Sequence, residues 1–155
     1  RMAQVVEKTG DKRLTIDHYL AATRGDPQMA EAFADFGAFL LASGNEGAAE
    51  KALRSALELT PDSVEVIGNL GVLLLSMGNS EEGMPFLEAA RDAEPNNASH
   101  YFNLAMAHKR GGDNARASEQ LARVLDLDPS RTRARFEWGV ILAEFDRAFA
   151  EQLKN

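Results

Sequence analysis

The sequence predicts an all-α protein, an α-solenoid in which antiparallel helical hairpins repeat along the chain and a capping helix closes the C-terminal end. Between turn residues, the apolar side chains follow helical rather than strand spacing. Two residue types mark the repeat with a constant step of 34 positions, the length of a two-helix unit. They are Pro27, Pro61, Pro95 and Pro129, and Gly10, Gly44, Gly78 and Gly112.

Glycine and proline suit the two turns of each unit for different reasons. Glycine adopts the left-handed backbone that closes a helix, whereas proline has no backbone N–H and disfavours helix in the residue before it. Each glycine lies 17 residues before its proline, so every unit is divided into two helices of similar length. Pro85 lies inside a predicted second helix, where we expect it to remove one hydrogen bond.

Three complete repeats are predicted, at 30–63, 64–97 and 98–131, within a single domain that spans 1–155. Small residues recur at one position of the first helices, because a glycine or alanine there lets a large side chain of the partner helix approach closely. These residues are Gly37, Gly71 and Ala105, and the second helices place Leu53, Leu87 and Leu121 on their facing stripes.

These residues resemble the signature of the tetratricopeptide repeat (TPR) family. In that signature an aromatic residue, Leu, Gly and Tyr precede Ala, an aromatic residue, Ala and Pro at fixed offsets. Several of the aromatic residues are replaced here by Leu, Ile or His, and we expect His108, one of the replacements, to be a packed or half-buried core residue. The resemblance implies stacked hairpins whose first helices line a concave groove.

The two ends of the chain are less regular. Gly10, Tyr19, Ala22 and Pro27 occupy repeat positions, so 1–29 is predicted to be a partial repeat. The segment 132–155 begins with a first-helix pattern that includes Trp138, Gly139 and Leu142, but Asp146 stands where the next turn glycine is due. This segment is either a shortened final hairpin or one long capping helix.

The composition argues against several functional classes. The 155 residues carry a formal net charge of −7, whereas nucleic-acid binding draws most of its affinity from Lys and Arg. Without cysteine, neither a disulfide nor a thiolate zinc site can form. The sequence contains no histidine pair for a metal, no phosphate loop and no local nucleophile signature. We therefore predict a protein that is not an enzyme and takes no cofactor.

No apolar run approaches the roughly 20 residues that span a bilayer, and the N-terminus lacks the pattern of a signal peptide. We therefore expect no membrane segment within the chain and a cytoplasmic location. The chain begins at Arg1 rather than at a methionine, which leaves room for a leader or an anchor before it.

The resemblance implies that first-helix residues not used for packing face the groove and bind a peptide segment or a helix of a partner protein. Asn69 and Asn103 are equivalent positions at which an asparagine of the family holds the backbone of an extended peptide. The alternative is that these amides satisfy neighbouring backbone and that the apolar residues pack against adjacent hairpins. The predicted peptide-binding residues are Asn69, Asn103, Val72, Leu75, Phe102, Met106, Lys109, Arg110, Arg133 and Phe136.

Charge is distributed unevenly among the predicted groove residues. Glu31, Asp35 and Glu65 belong to the N-terminal part, and Lys109, Arg110 and Arg133 to the C-terminal part. The acidic part or C-terminal carboxylate of a bound segment is therefore predicted to lie near the three cations.

Two other functions remain open at this stage. The chain is alternatively a self-assembling module, a possible homo-oligomer whose truncated first helix or apolar end, around Phe145, Phe149 and Leu153, docks onto a neighbouring copy. It is also compatible with an accessory domain of a larger enzyme or of a secretion or assembly machine.

Overall fold

The computed structural model of the chain describes residues 30–152. The predicted partial repeat at 1–29, with Gly10, Tyr19, Ala22 and Pro27, and Leu153 lie outside the described residues. Within 30–152 the chain forms seven α-helices and no β-strand, so the all-α prediction is confirmed. The helices are α1 (Ala30–Ala42), α2 (Glu46–Leu59), α3 (Val64–Ser76), α4 (Ser80–Ala93), α5 (Ala98–Arg110), α6 (Asn114–Leu127) and α7 (Thr132–Gln152).

The chain divides into two compact units between Asn79 and Ser80. The described part of unit 1 contains α1, α2 and α3, and that of unit 2 contains α4, α5, α6 and α7. The first helices of the predicted repeats are α1, α3, α5 and α7, and the second helices are α2, α4 and α6.

Three glycines close the first helices of the complete repeats, as the sequence predicts. Gly44, Gly78 and Gly112 have positive φ angles of 76°, 86° and 79°, and no other described residue has a positive φ. At the first of these turns, the N–H of Gly44 donates to the carbonyl of Leu41 (3.0 Å) and the N–H of Asn45 to that of Leu40 (2.9 Å). The turn thus satisfies carbonyl groups that the end of α1 leaves without a partner.

In unit 1, α1 and α2 pack through the pairing of Gly37 with Leu53. Leu53 is fully buried, and a Cβ atom added to Gly37 would lie only 2.6 Å from the Cγ atom of Leu53. The glycine therefore lets the leucine side chain touch the backbone of the opposite helix. Leu40, one turn after Gly37, is 1% exposed.

In unit 2, the corresponding hairpin is formed by α5 and α6 and is extended by α7. Ala105 of α5, Leu121 of α6 and Ile141 of α7 are fully buried in one apolar cluster. Trp138 packs against this cluster and donates a hydrogen bond from Nε1 to Oγ of Ser118 (2.7 Å). His108 is half-buried, in agreement with its predicted place.

The C-terminal segment forms one helix rather than a hairpin. α7 is 21 residues long and continues through Asp146, the position at which the earlier first helices have given way to a glycine turn. No helix within residues 30–152 combines the length and the apolarity needed to cross a bilayer.

Substitution of Gly37 by alanine is expected to lower the free energy of unfolding by about 1–2 kcal/mol, because the new methyl group would overlap with Leu53. Gly47 is the matched control: it also lies in a helix, but a Cβ atom there would meet nothing within 4 Å. Gly47→Ala should therefore stabilise the protein by up to about 1 kcal/mol through helix propensity. Urea denaturation of both variants would measure the two changes, and a gain of stability in both would contradict the predicted close contact.

Glu94, in the turn between α4 and α5, connects the two ends of that turn. Its Oε2 accepts a hydrogen bond from Nδ2 of Asn97 (2.8 Å) and lies 2.8 Å from Nε2 of His100, which is 8% exposed. The bond from Asn97, and next the bond to His100, lower the pKa of the Glu94 carboxyl below its ordinary value of 4.5. The charged form of Glu94 thus stabilises the folded state.

Because the pKa of Glu94 is lower in the folded than in the unfolded chain, its stabilising effect is complete above pH 4.5 and is lost as the pH falls below that value. Glu94→Gln should therefore lose less stability than the wild type between about pH 6 and about pH 3. Denaturant titrations at both pH values would measure this difference. Glu88→Gln, which removes an exposed carboxylate of α4, should behave like the wild type.

Candidate functional site

Asn69 and Asn103 occupy the sixth position of α3 and of α5. Both side chains are half-buried. Neither makes a side-chain hydrogen bond to any residue within 30–152, so this part of the chain does not use the two amides. Because an amide group both donates and accepts, each can pair with a peptide bond of another chain.

The other predicted residues of unit 1 also lie on α3. Val72 is half-buried, and Leu75 is 7% exposed and belongs to the apolar core. Leu75 is therefore a packing residue, which is the alternative to peptide contact that the sequence left open. On α1 of the same unit, burial raises the pKa of Asp35 above its ordinary value, and the nearby charge of Glu31 raises it further.

In unit 2, Phe102 is 7% exposed and belongs to the apolar cluster of α5, α6 and α7. The guanidinium carbons of Arg131 and Arg133 lie 5.0 and 5.3 Å from the centre of its ring, within the range of a cation–π interaction. Met106 is half-buried and packs against the same cluster. Phe102 therefore offers little contact area to another molecule. Its ring instead positions the two arginines.

Lys109 of α5 forms an ion pair with Glu137 of α7, with 2.6 Å between Nζ and Oε2. The pair compensates the charge of Lys109 and joins the two first helices of unit 2. Arg110, the last residue of α5, is exposed. Arg133 is also exposed and has no carboxylate within ion-pair distance among the described residues. Arg133 is therefore open to an acidic ligand.

Phe136, one turn after Arg133 on α7, is 68% exposed, more than any other large apolar side chain of the described residues. Most of its ring is thus available for contact with another molecule. The structure places seven of the ten predicted residues on neighbouring helices of unit 2. We call this set the α5–α7 surface: Phe102, Asn103, Met106, Lys109, Arg110, Arg133 and Phe136.

The sequence did not reveal the role of Arg131. Its Nη1 donates a hydrogen bond to Oγ of Ser99 (3.1 Å), and its guanidinium lies closer to Phe102 than that of Arg133. Arg131 precedes α7, so a search confined to first-helix positions passes over it. The alternating arginines at 131, 133 and 135 are the only signal that could have drawn attention to this turn.

The α5–α7 surface offers an amide, a phenyl ring and a guanidinium, which are groups that bind peptides. The described residues contain no group of three His, Cys, Asp or Glu side chains arranged to hold a metal ion.

Two family models match the chain. The first is the middle TPR-like domain of cilia and flagella-associated protein 70, which matches residues 1–124. The second is a tetratricopeptide repeat model, which matches residues 102–151. No curated protein sequence matches the chain.

Solved structures with the same fold include MamA, at a TM-score of 0.85 and 19% identity, with 94% of this chain and 85% of that chain covered. MamA residues 41 to the end from Desulfovibrio magneticus RS-1 also superimpose at 0.85, with 21% identity and coverage of 99% and 88%. YrrB, described as a TPR protein with an unusual peptide-binding site, matches at 0.74, with 21% identity and coverage of 93% and 74%. These similarities confirm the predicted fold class.

Proposed function

The chain belongs to the tetratricopeptide repeat family, a family of protein-interaction scaffolds, and from this premise we propose that it binds a peptide segment or a helix of a partner protein through the exposed faces of its first helices. The observation that carries the proposal is the unused amide at two equivalent positions, Asn69 and Asn103. A half-buried polar group without a partner in the fold is a group that a ligand can satisfy.

The two asparagines suit an extended backbone because each amide donates to a carbonyl and accepts from an N–H. Each is accompanied by apolar side chains on the same helix, Val72 near Asn69 and Met106 near Asn103. Apolar side chains of the ligand would bury the exposed parts of these residues, while the amides set its orientation. YrrB, which shares the fold, is described by a peptide-binding site, and this supports peptide binding in general.

On unit 2 a ligand at Asn103 would meet Phe136 and Arg133 of the α5–α7 surface. A ring that is 68% exposed gains stabilisation when an apolar side chain covers it. Arg133 lies one turn away and favours an acidic residue or a terminal carboxylate of the ligand. Lys109 contributes less to this preference because Glu137 already compensates its charge. The proposed ligand is thus a segment that combines an apolar side chain with a nearby carboxylate.

Substitution of both asparagines by alanine should abolish partner binding and leave the fold intact. Neither amide stabilises the described residues, so the free energy of unfolding should change by no more than about 1 kcal/mol. The immobilised Asn69→Ala/Asn103→Ala variant would be compared with the wild type in native lysate, with the retained proteins identified by mass spectrometry.

Asn96→Ala is the control, because Asn96 is exposed in a turn and also makes no side-chain hydrogen bond to the described residues. Partners retained by the wild type and by Asn96→Ala, but lost from the double variant, are the expected result. Equal retention by all three proteins would refute the assignment of the asparagines. Retention of nothing but the chain itself would favour a self-assembling module.

Charge reversal at Arg133 should weaken binding of a captured partner segment at low salt by about tenfold, because the guanidinium is replaced by a like charge to the ligand carboxylate. Isothermal titration of that segment at two salt concentrations would measure the effect, which should shrink as salt screens the pair. Arg147→Glu makes the same charge change on α7 and should leave affinity unaltered. Equal effects of the two variants would show that only net charge matters.

A further inference from the structure

The outer face of α7 carries a largely exposed apolar surface, one member of which, Phe145, also borders a pocket at the turn between α5 and α6. We call this surface the cap face, and it consists of Gly139, Leu142, Phe145 and Phe149, which lie on one side of the helix over three turns. Leu142, Phe145 and Phe149 are 45%, 42% and 63% exposed. A contiguous apolar patch of this kind usually marks a site of interaction.

The cap face corresponds to the surface of a first helix that the second helix covers in a complete hairpin. Gly139 and Leu142 stand at the repeat positions of Gly37 and Leu40, which α2 buries in unit 1. A Cβ atom at Gly37 would lie 2.6 Å from Leu53, whereas a Cβ atom at Gly139 would meet nothing within 4 Å. The position that seats a leucine in unit 1 is therefore open on α7.

The open position follows from the length of α7. In the complete repeats a glycine with positive φ ends the first helix and returns the chain as a second helix. α7 instead continues through Asp146 to Gln152, so no second helix can begin at the corresponding point. The helix keeps the packing side chains of a hairpin without the partner that would cover them.

We propose that the cap face is the docking site for an amphipathic α-helix of a partner protein, which takes the place of a second helix. The second helices of this chain define the pattern of that partner: a leucine, with a small residue four positions earlier and a small or β-branched residue three positions later. All three show it, as in Ala49, Leu53 and Ala56 of α2 and Ala117, Leu121 and Val124 of α6. Both helices are 14 residues long, so a partner helix of about four turns covers the cap face.

The described second helices of a second copy cannot take this role. The leucines of its second helices, Leu53, Leu87 and Leu121, are at most 1% exposed, so none is available for docking. Pairing of two cap faces would bury only a few side chains from each copy, and a stable dimer buries roughly 800 Å² per partner. A single docked helix, in contrast, needs only the surface that one face of α7 presents.

Charge adds a further requirement for the partner. Asp146 lies on the same side of α7 as Leu142 and Phe149, and it is exposed without an ion pair among the described residues. A helix that runs antiparallel to α7, as second helices do, brings its N-terminal end to Asp146. The partner helix therefore carries a lysine or arginine about two turns before its leucine.

A peptide derived from the chain itself can serve as the probe for this site. A synthetic peptide with the sequence of residues 113–128, with Asp113→Lys and a lactam bridge on its outward face to hold the helix, presents Leu121 and a basic residue at the required spacing. Trp138, the single tryptophan, lies one turn from Leu142 and is partly buried, so its fluorescence reports docking on the full chain.

The wild-type chain should give a saturable change in Trp138 fluorescence. Gly139→Gln should weaken binding at least about tenfold, because the side chain fills the position of the leucine. Gly47→Gln is the matched control, a helical glycine with the same open surroundings away from the cap face, and it should bind like the wild type. A peptide with Leu121→Ser should bind about thirtyfold more weakly than the parent peptide.

Three outcomes would overturn the proposal. They are the absence of saturation up to about 1 mM peptide, equal affinity of the wild type and Gly139→Gln, and sedimentation of the peptide-free wild type as a dimer that Gly139→Gln dissociates. The last result would make a second copy the occupant. Asn69→Ala/Asn103→Ala should bind the peptide like the wild type, so failure at the cap face is distinguishable from failure at the asparagine-bearing faces of α3 and α5.

Discussion

The close approach of two helices at a residue without a side chain is the constraint on which this structure depends. At Gly37 the leucine of the opposite helix reaches the backbone, and the 2.6 Å that would separate a Cβ atom from Leu53 shows that no other residue fits without a shift. The distance between these helices determines which side chains unit 1 encloses, and in unit 2 Ala105 takes the corresponding place in one apolar cluster with Leu121. Because the enclosed positions are determined in this way, the exposed faces can vary with little cost to the fold.

The exposed faces are accordingly where the chemistry of the molecule differs from one helix to the next. Asn69 and Asn103 keep free amides on α3 and α5, whereas Phe102 has been drawn into the core and orients Arg131 and Arg133 instead. On α7 the ring of Phe136 points outward from the same repeat position that Phe102 occupies in α5. One repeat position is thus packed in one helix and exposed in the next.

The sequence predicted the helices and their turns well because the signals are local. A glycine that must adopt a positive φ angle and a proline that cannot donate act within a few residues, and both recur with a constant period. The end of the chain was less certain, since the absence of glycine at Asp146 permits either a tightened turn or a continuous helix. Helix continuity there depends on the sum of propensities over many residues, and no single residue decides it.

The composition of the site was only partly accessible from the sequence for a related reason. First-helix periodicity identified the faces, but it could not separate Leu75 and Phe102, which are enclosed, from Phe136, which is exposed. It also could not show that Lys109 pairs with Glu137, 28 residues away, or that Arg131 approaches Phe102 from a turn. These facts depend on the relative placement of helices, which is a property of tertiary packing.

The continuous C-terminal helix has a consequence for how the molecule opens. Every described side chain after Ile141 is exposed, so apart from the hydrogen bond that Nδ2 of Asn114 donates to Oε2 of Glu144, this half of α7 is held mainly by its own backbone hydrogen bonds. Its fraying breaks few apolar contacts and costs less free energy than the opening of any enclosed helix. The last turns of α7 therefore open locally before the enclosed helices do. A molecule that covers them would raise the free energy of this local opening.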